Sequence, residues 1–214
     1  MIQWIKPSHK IISYSHDDII SAMEFVGRNA YKSEDKITLE SGTKFIKMIL
    51  DKNHTGILEH CSITVRFITS RSISHELVRH RIASYVEQSQ RYINFNKIDS
   101  IKCIIPLDIE NSTPVMLQLF KDSVTQSIDS YRILVENKIK PQISREVLPN
   151  CFYTDVIATF NFRSLRNMLN LRCDESAHPE MRRLMIPLLV ELYIKYPVLF
   201  QDIYDKVKLQ NNIQ

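Results

Sequence analysis

Glycine is nearly absent. Three occur in 214 residues, Gly27, Gly42 and Gly56, where an average composition of ~7% would supply about fifteen. No two stand close enough to build G-x-G-x-x-G or G-x-x-x-x-G-K, so a glycine-rich dinucleotide fingerprint and a P-loop are excluded at the level of the motif. A phosphate bound by this chain has to be held by side chains and helix N-termini. Long apolar runs are missing too. None reaches the ~18 residues that a membrane helix needs, and the opening MIQWIKPSHK has no apolar stretch of the kind a secretory signal carries. Cysteine is sparse: Cys61, Cys103, Cys151 and Cys173 contain no C-x-x-C and fit neither a zinc ribbon nor a dense disulfide framework. The expectation is reduced, mostly buried thiols in a cytoplasmic protein. Net charge is only +4, which argues against a nucleic-acid coat but leaves room for a localised anion site.

What is present is ordinary globular material, 44% hydrophobic and 24% charged, with no repeat and no linker-like stretch. Met1 to Tyr14 reads as short strands around Pro7. Asp17 and Asp18 then start a helix with Ile19, Ile20, Met23 and Val26 inward. A second helix is expected from about Leu39 to Lys52, with Phe45, Ile46, Ile49 and Leu50 as its apolar stripe. CSITVRFIT alternates and reads as a strand. SRSISHELVRHR reads as a helix capped by Ser70 or Ser72. Leu117, Phe120, Val124, Ile128, Tyr131 and Val135 keep helical spacing through a long element between Ser112 and Lys140. CFYTDVIATFNF is β-branched and aromatic, hence a strand. RSLRNMLNLR is a short helix, and a last helix is expected from Pro179 to about Tyr196, ended by Pro197. Strands and long helices mix without a strict βαβ rhythm, so the class is α+β.

Two polar clusters carry chemistry. Residues 71–91 read RSISHELVRHRIASYVEQSQR, placing Arg71, Arg79, Arg81 and Arg91 among His75, His80, Ser and Gln. Arginine offers planar donor forks matched to phosphate oxygens. Glu76 and Glu87 are interleaved, either to hold the arginines or to accept from a substrate N–H or O–H; a solvated helix end laced with ion pairs gives the same composition. His75-Glu76 followed by His80 approaches H-E-x-x-H, but five residues on a helix turn the two rings about 140° apart, which excludes a shared zinc.

The second cluster is NFRSLRNMLNLRCDESAHPEMRR. Leu165, Met168 and Leu169 form an inward helix face that Arg172 continues. A charge in line with an apolar stripe needs a partner; otherwise it serves the last helix carbonyls. Arg163 and Asn167 share another face at i,i+4.

Taken together, the clusters resemble the flavin-dependent thymidylate synthases. Arg79-His80-Arg81, seven residues and then Ser89 match the signature of that family, continued by Gln90-Arg91-Tyr92. His54 with Glu59-His60 resembles its H…EH stretch. Arg145 before Leu148-Pro149 resembles its arginine ahead of a proline-bearing turn. Asn161-Phe-Arg163-Ser-Leu, Asn167 and Leu171-Arg172-Cys-Asp174 resemble its N-x-R-S-L…N-x-x-N-L-R-x-D segment. The resemblance spans about residues 20 to 200. The chain departs from the family pattern at Ser176, where His is usual and His178 could substitute, and at Ala30, Val86 and Gly56.

This resemblance implies a central, mostly antiparallel sheet flanked by long helices, in a single domain over residues 1–214. It implies methylation of dUMP to dTMP, with methylenetetrahydrofolate supplying the carbon and FAD, reduced by NADPH, the hydride. It implies a homotetramer with FAD where subunits meet, binding neither nucleic acid nor membrane. By the same resemblance, Glu76, Arg79, Glu87, Gln88, Ser89, Gln90, Arg91, Arg145 and Arg172 form the dUMP site. His54, Gly56, Arg79, His80, Arg81, Glu87, Asn161, Arg163 and Asn167 serve FAD. Arg172 is the catalytic residue, polarising the pyrimidine ring.

Two further classes fit the same residues: a non-catalytic nucleotide- or RNA-binding module, and a flavoprotein acting on a different nucleotide. No enzyme nucleophile is expected. Cys173 points ~100° away from Arg172 on a helix, and Ser89 has no dedicated base.

Overall fold

A computed structural model describes residues 1–98 and 100–211. In chain order the elements are β1 (Ile2–Ile5), β2 (Ser8–Tyr14), α1 (Ile19–Tyr31), α2 (Ser41–Asp51), β3 (Ser62–Ser70), α3 (Arg71–Leu77), β4 (Ala83–Glu87), β5 (Ile101–Ile104), α4 (Leu107–Glu110), α5 (Pro114–Glu136), α6 (Pro141–Ser144), β6 (Tyr153–Asn161), α7 (Phe162–Arg172), α8 (Pro179–Lys195) and α9 (Pro197–Asn211). The class is α+β, as expected. A four-stranded antiparallel sheet has the order β2-β3-β6-β4, and β1 pairs with β5 in a separate parallel ribbon. Among the described residues no helix is long and apolar enough to cross a membrane.

By internal contacts the chain forms two compact units. Among the described residues, one comprises 1–8, 67–79 and 86–156 and the other 9–66, 80–85 and 157–211. Strands β3, β4 and β6 each pass from one unit into the other. The Thr64 and Thr159 hydroxyls share a hydrogen bond of 2.9 Å, and the Arg71 N–H donates to the Phe152 carbonyl at 3.0 Å.

The first unit is built on α5. Thr113 caps it by accepting from the Met116 N–H, and Pro114 occupies its first turn, where no donor is lost. Its inward stripe, Val124, Ile128 and Tyr131, joins Phe95, Ile101, Cys103 and Phe152 in one core. The helix is shorter at both ends than the Ser112–Lys140 span. Strand β5 and helix α4 escape the sequence reading because four-residue elements show no period.

The second unit packs helices α1, α2, α7, α8 and α9. Asp18 caps α1 through the Ser21 N–H and hydroxyl, and Ile19 and Met23 are fully buried. Helix α2 starts at Ser41, not Leu39, which stands exposed. Gly27 lets α1 approach α2: a Cβ there would lie 2.5 Å from Phe45 Cε1. Buried Glu24 receives Arg28 Nε and Nη2 at 3.1 and 2.9 Å, and the Ser41 hydroxyl at 2.8 Å. The free thiols of Cys61 and Cys173 lie in this unit, and those of Cys103 and Cys151 in the first; all four are buried.

Two expectations are corrected. SRSISHELVRHR is helical only to Leu77, so Arg79, His80 and Arg81 lie outside the helix and the chain re-extends as β4. Pro197 does end α8, but it also opens a further helix, α9, whose Leu199, Phe200, Ile203 and Val207 are buried. A proline that cannot continue one helix is well placed in the first turn of the next.

Candidate active site

Helix α3 and the segment 145–150 of the first unit enclose a cleft of about 360 Å³, lined among others by Arg71, His75, Gln90, Arg145, Glu146 and Asn150. Ser70 caps α3. Arg71 and His75 are i,i+4 neighbours and so share a helix face. The first backbone N–H groups of α3 are already taken: Arg71 donates to the Phe152 carbonyl and Ser72 to the Asn150 carbonyl. Recognition in this cleft therefore falls to side chains. Arg71 Nη1 lies 2.8 Å from Glu87 Oε1, which also accepts from the Thr154 hydroxyl at 3.0 Å. The interleaved carboxylate thus holds an arginine in place. Arg145, about a third exposed, has a looser acidic neighbour, Glu146, at 3.6 Å.

The motif residues that follow lie in the same unit. The Gln88 N–H donates to the Asp155 carbonyl at 2.9 Å. Gln88 Oε1 is buried and has no hydrogen-bond partner among the described residues. Ser89 Oγ accepts from the Arg91 N–H at 3.2 Å, and the Arg91 guanidinium lies over the Tyr92 ring. Glu76 is half-buried, and its carbonyl accepts from the N–H of exposed Arg79.

A second cleft, of about 390 Å³, belongs to the second unit and is lined among others by Asn53, Thr55, Arg163, Arg166, Asn167 and Asn170. Arg163, Asn167 and Asn170 follow one another at i,i+4 and i,i+3 on α7. Asn161 begins that helix as its cap, its Oδ1 accepting from the Ser164 N–H at 2.8 Å and hydroxyl at 2.7 Å. Arg163 pairs with Glu59. Arg166 grips Asp202 with both terminal nitrogens and donates to the Leu199 carbonyl, tying α7 to α9. His54, between lining residues Asn53 and Thr55 in the chain, is exposed, its Nδ1 3.3 Å from the Tyr31 hydroxyl. At Gly56 an added Cβ would meet nothing within 4 Å, so internal packing does not require glycine there. Both residues weighed as a flavin-contacting substitute have local duties. The Ser176 hydroxyl donates to Asp174, and His178 Nδ1 caps α8 through the Glu180 N–H.

The third feature also lies in the second unit. Arg172 Nε donates to His80 Nε2 at 2.7 Å. The Tyr85 hydroxyl donates to the His80 carbonyl at 2.8 Å. Burial, and then the charge of Arg172, push the His80 pKa down to about 4, so the ring is neutral and Nε2 carries the accepting lone pair. Next to Arg172, Cys173 is fully buried and burial pushes its thiol up to about 12, a poor nucleophile.

Of the expected site residues, Gln90 and Arg145 meet in the first cleft, Arg163 and Asn167 in the second, and Arg172 and His80 touch. Arg81 stands exposed beyond α3. The sequence reading passed over Arg71 and His75 as site residues, although their i,i+4 spacing pointed to one face. It also missed Thr55, Arg166 and Asn170 in the second cleft; Asn170 completes the i,i+3 step from Asn167. The H-E-x-x-H comparison changes its basis, because His80 has left the helix. Among the described residues no cluster of His, Cys, Asp and Glu is arranged to hold a metal.

The chain resembles known proteins over most of its length. Residues 10–198 match the family model described as thymidylate synthase complementing protein. A flavin-dependent thymidylate synthase of Geobacter sulfurreducens is 37% identical over 169 residues, 78% of this chain and 72% of the relative. One from Mycolicibacterium vanbaalenii is 34% identical over 199 residues, 84% of this chain and 78% of the relative. Among solved structures, a UMP/dUMP methylase, PolB, from Streptomyces cacaoi bound with 5-Br dUMP superposes with a TM-score of 0.77 at 20% identity, covering 94% of this chain and 96% of that one.

Proposed function

The chain belongs to the thymidylate synthase complementing protein family, and from that premise we propose that it methylates dUMP to dTMP, with methylenetetrahydrofolate as carbon donor and FAD, reduced by NADPH, as hydride source. The observation that carries the reading is the first cleft. It offers two guanidinium forks, an imidazole and two amides, and no glycine cradle, which is the equipment for a phosphomonoester held by side chains.

Arg71 and Arg145 take the phosphate, and Gln90, Ser89 and Arg91 complete its surroundings. Gln88 contributes a buried acceptor suited to a pyrimidine N–H, since a buried oxygen without a donor costs free energy until one arrives. Glu87 holds Arg71 in place, and Glu76 and Arg79 join the dUMP site by the resemblance. The resemblance assigns Arg172 to the pyrimidine. A fixed cation at the carbonyl edge stabilises the negative charge that develops as the ring carbon attacks the one-carbon unit, and it needs no reorganisation at that moment. Neither Ser89 nor Cys173 acts as a nucleophile: one hydroxyl caps a turn and the other side chain is a buried thiol.

The second cleft fits part of a flavin dinucleotide. Its amide, hydroxyl and guanidinium donors suit phosphate and ribityl oxygens, and its volume leaves the rest of the molecule outside. The resemblance assigns His54, Gly56, Arg79, His80, Arg81, Glu87, Asn161, Arg163 and Asn167 to FAD, and of these Arg163 and Asn167 line this cleft. Reduced FAD supplies the hydride. A cofactor only partly held by one chain is in keeping with a homotetramer that shares it between subunits, and one functional domain is in keeping with a family match that runs through both compact units. Four free, buried thiols accord with a reducing, cytoplasmic setting.

The visible absorption spectrum of the purified protein, with and without dUMP, tests this reading. A flavin band that shifts on adding dUMP is expected. A colourless protein that cannot be loaded with FAD contradicts it, and a flavin band indifferent to dUMP points to a different nucleotide.

A further inference from the structure

We propose that His80 is the positioning residue for Arg172, its ring accepting from the guanidinium Nε and thereby fixing the plane that Arg172 presents to the pyrimidine. The proposal rests on the function set out above and deepens it, because the resemblance to the family places His80 on the flavin side.

The observation is a closed circuit within one compact unit. Arg172 ends α7, whose Leu165, Met168 and Leu169 are buried, so the backbone of this arginine is firmly seated. Its side chain, however, carries several rotatable bonds and roughly 2 kcal/mol of rotamer entropy when loose. The 2.7 Å bond from Nε to His80 Nε2 removes that freedom at the inner nitrogen. A guanidinium is planar, so fixing Nε orients all five donors together. His80 is held in turn. The Tyr85 hydroxyl donates to its carbonyl, and the Tyr85 ring packs edge-on against Phe160 with centroids 5.8 Å apart. Phe160 lies in β6, the strand that runs directly into α7. Strand, helix, arginine, histidine and tyrosine form one loop of contacts.

The bond also requires a neutral ring with its proton on Nδ1. The half-buried environment and the adjacent Arg172 charge secure this by holding the ring's pKa near 4. An imidazolium would turn the acceptor into a donor facing a cation.

The test compares three variants of the FAD-loaded protein: His80→Gln, His80→Asn and His80→Leu. Dissociation constants for dUMP are read by titration of the flavin absorbance, alongside FAD content and thermal midpoint. The Gln carbonyl oxygen reaches the place of Nε2, so affinity within about threefold of the parent is expected. Asn is equally polar but too short, and Leu cannot accept. Both should weaken dUMP binding by roughly 10- to 100-fold, the range for losing a charge-assisted hydrogen bond, with FAD retained. The proposal is overturned if Asn binds dUMP as well as Gln does, or if the variants lose FAD while the remaining holoenzyme binds dUMP normally. The Gln–Asn pair keeps the test decisive should Leu fail to fold. A parent holoenzyme that binds no dUMP would instead sink the functional reading itself, and the positioning role with it.

Discussion

The Arg71 guanidinium lies 2.8 Å from the Glu87 carboxylate, so the arginine at the head of α3 enters its cleft already paired. A neutralised pair orients a ligand more than it attracts one. Attraction then falls to Arg145, whose acidic neighbour is 3.6 Å away and largely solvated. This division of labour between two arginines leads to the first prediction.

Arg145→Ala should weaken dUMP binding by about 10- to 100-fold while leaving 2′-deoxyuridine binding unchanged, because the lost contact is to the phosphate. Stability should move by no more than about 0.5 kcal/mol, as for other part-exposed sites. Calorimetric titration with nucleotide and nucleoside checks this. Equal losses for both ligands would remove Arg145 from the phosphate.

Ser89→Ala and Cys173→Ala should each retain measurable dTMP formation. The Cys173 thiol is fully buried with its pKa pushed up to about 12, and Ser89 Oγ caps a turn. Ser89→Ala should weaken dUMP binding, and Cys173→Ala should cost about 1 kcal/mol of stability as a small cavity. A variant that binds dUMP and reduced flavin normally yet forms no product would restore a covalent mechanism through that residue.

Acid sensitivity should carry a His80 component. Above the ordinary histidine value of about 6.5, the ring is neutral in both folded and unfolded chains and contributes nothing. As pH falls from there towards about 4, the unfolded chain takes up a proton that the folded chain refuses, so stability declines. Urea denaturation at about pH 7 and about pH 5 should show the parent losing on the order of 1 kcal/mol more than His80→Gln, a value discounted because the ring is only half-buried. An identical loss in both proteins would mean that His80 titrates normally.

Two glycines should answer differently to alanine. Gly27→Ala places a Cβ 2.5 Å from the Phe45 ring, and overpacking of this kind costs about 1–3 kcal/mol. Gly56→Ala meets nothing within 4 Å, and no glycine here has positive φ. Stability there should hold or rise by about 0.5 kcal/mol. Any fall in FAD affinity in Gly56→Ala is then a direct effect at the cofactor site. Thermal midpoints of the two variants separate these expectations.

Long periodic segments were legible in the sequence. The stripes of α1, α5 and α7 and the alternation of β3 gave the elements and their buried faces, because burial of one face imposes a period. What failed was local. Arg79-His80-Arg81 continues a helical pattern in composition, yet the chain turns out after Leu77, where only tertiary pairing of β4 with β6 decides. At Pro197 one residue both stops a helix and starts another, and the sequence reading took only the first meaning. For the site, residue types were legible but not pairings. The arginine-rich run promised a carboxylate holding an arginine, and the structure identifies the pair as Glu87 with Arg71. The partner that Arg172 required was His80, 92 residues away, a distance that no local pattern encodes.

The most direct measurement is product formation from dUMP in an omission series. Purified protein is incubated without oxygen with dUMP, methylenetetrahydrofolate, NADPH and FAD, and the nucleotides are separated and weighed by mass spectrometry. The expected result is a product one methyl group heavier than dUMP in the complete mixture, lost when FAD or the folate is left out and lost in Arg172→Ala protein that still holds FAD. Product that forms equally well without flavin, or no product from holoenzyme that binds dUMP, would contradict the account.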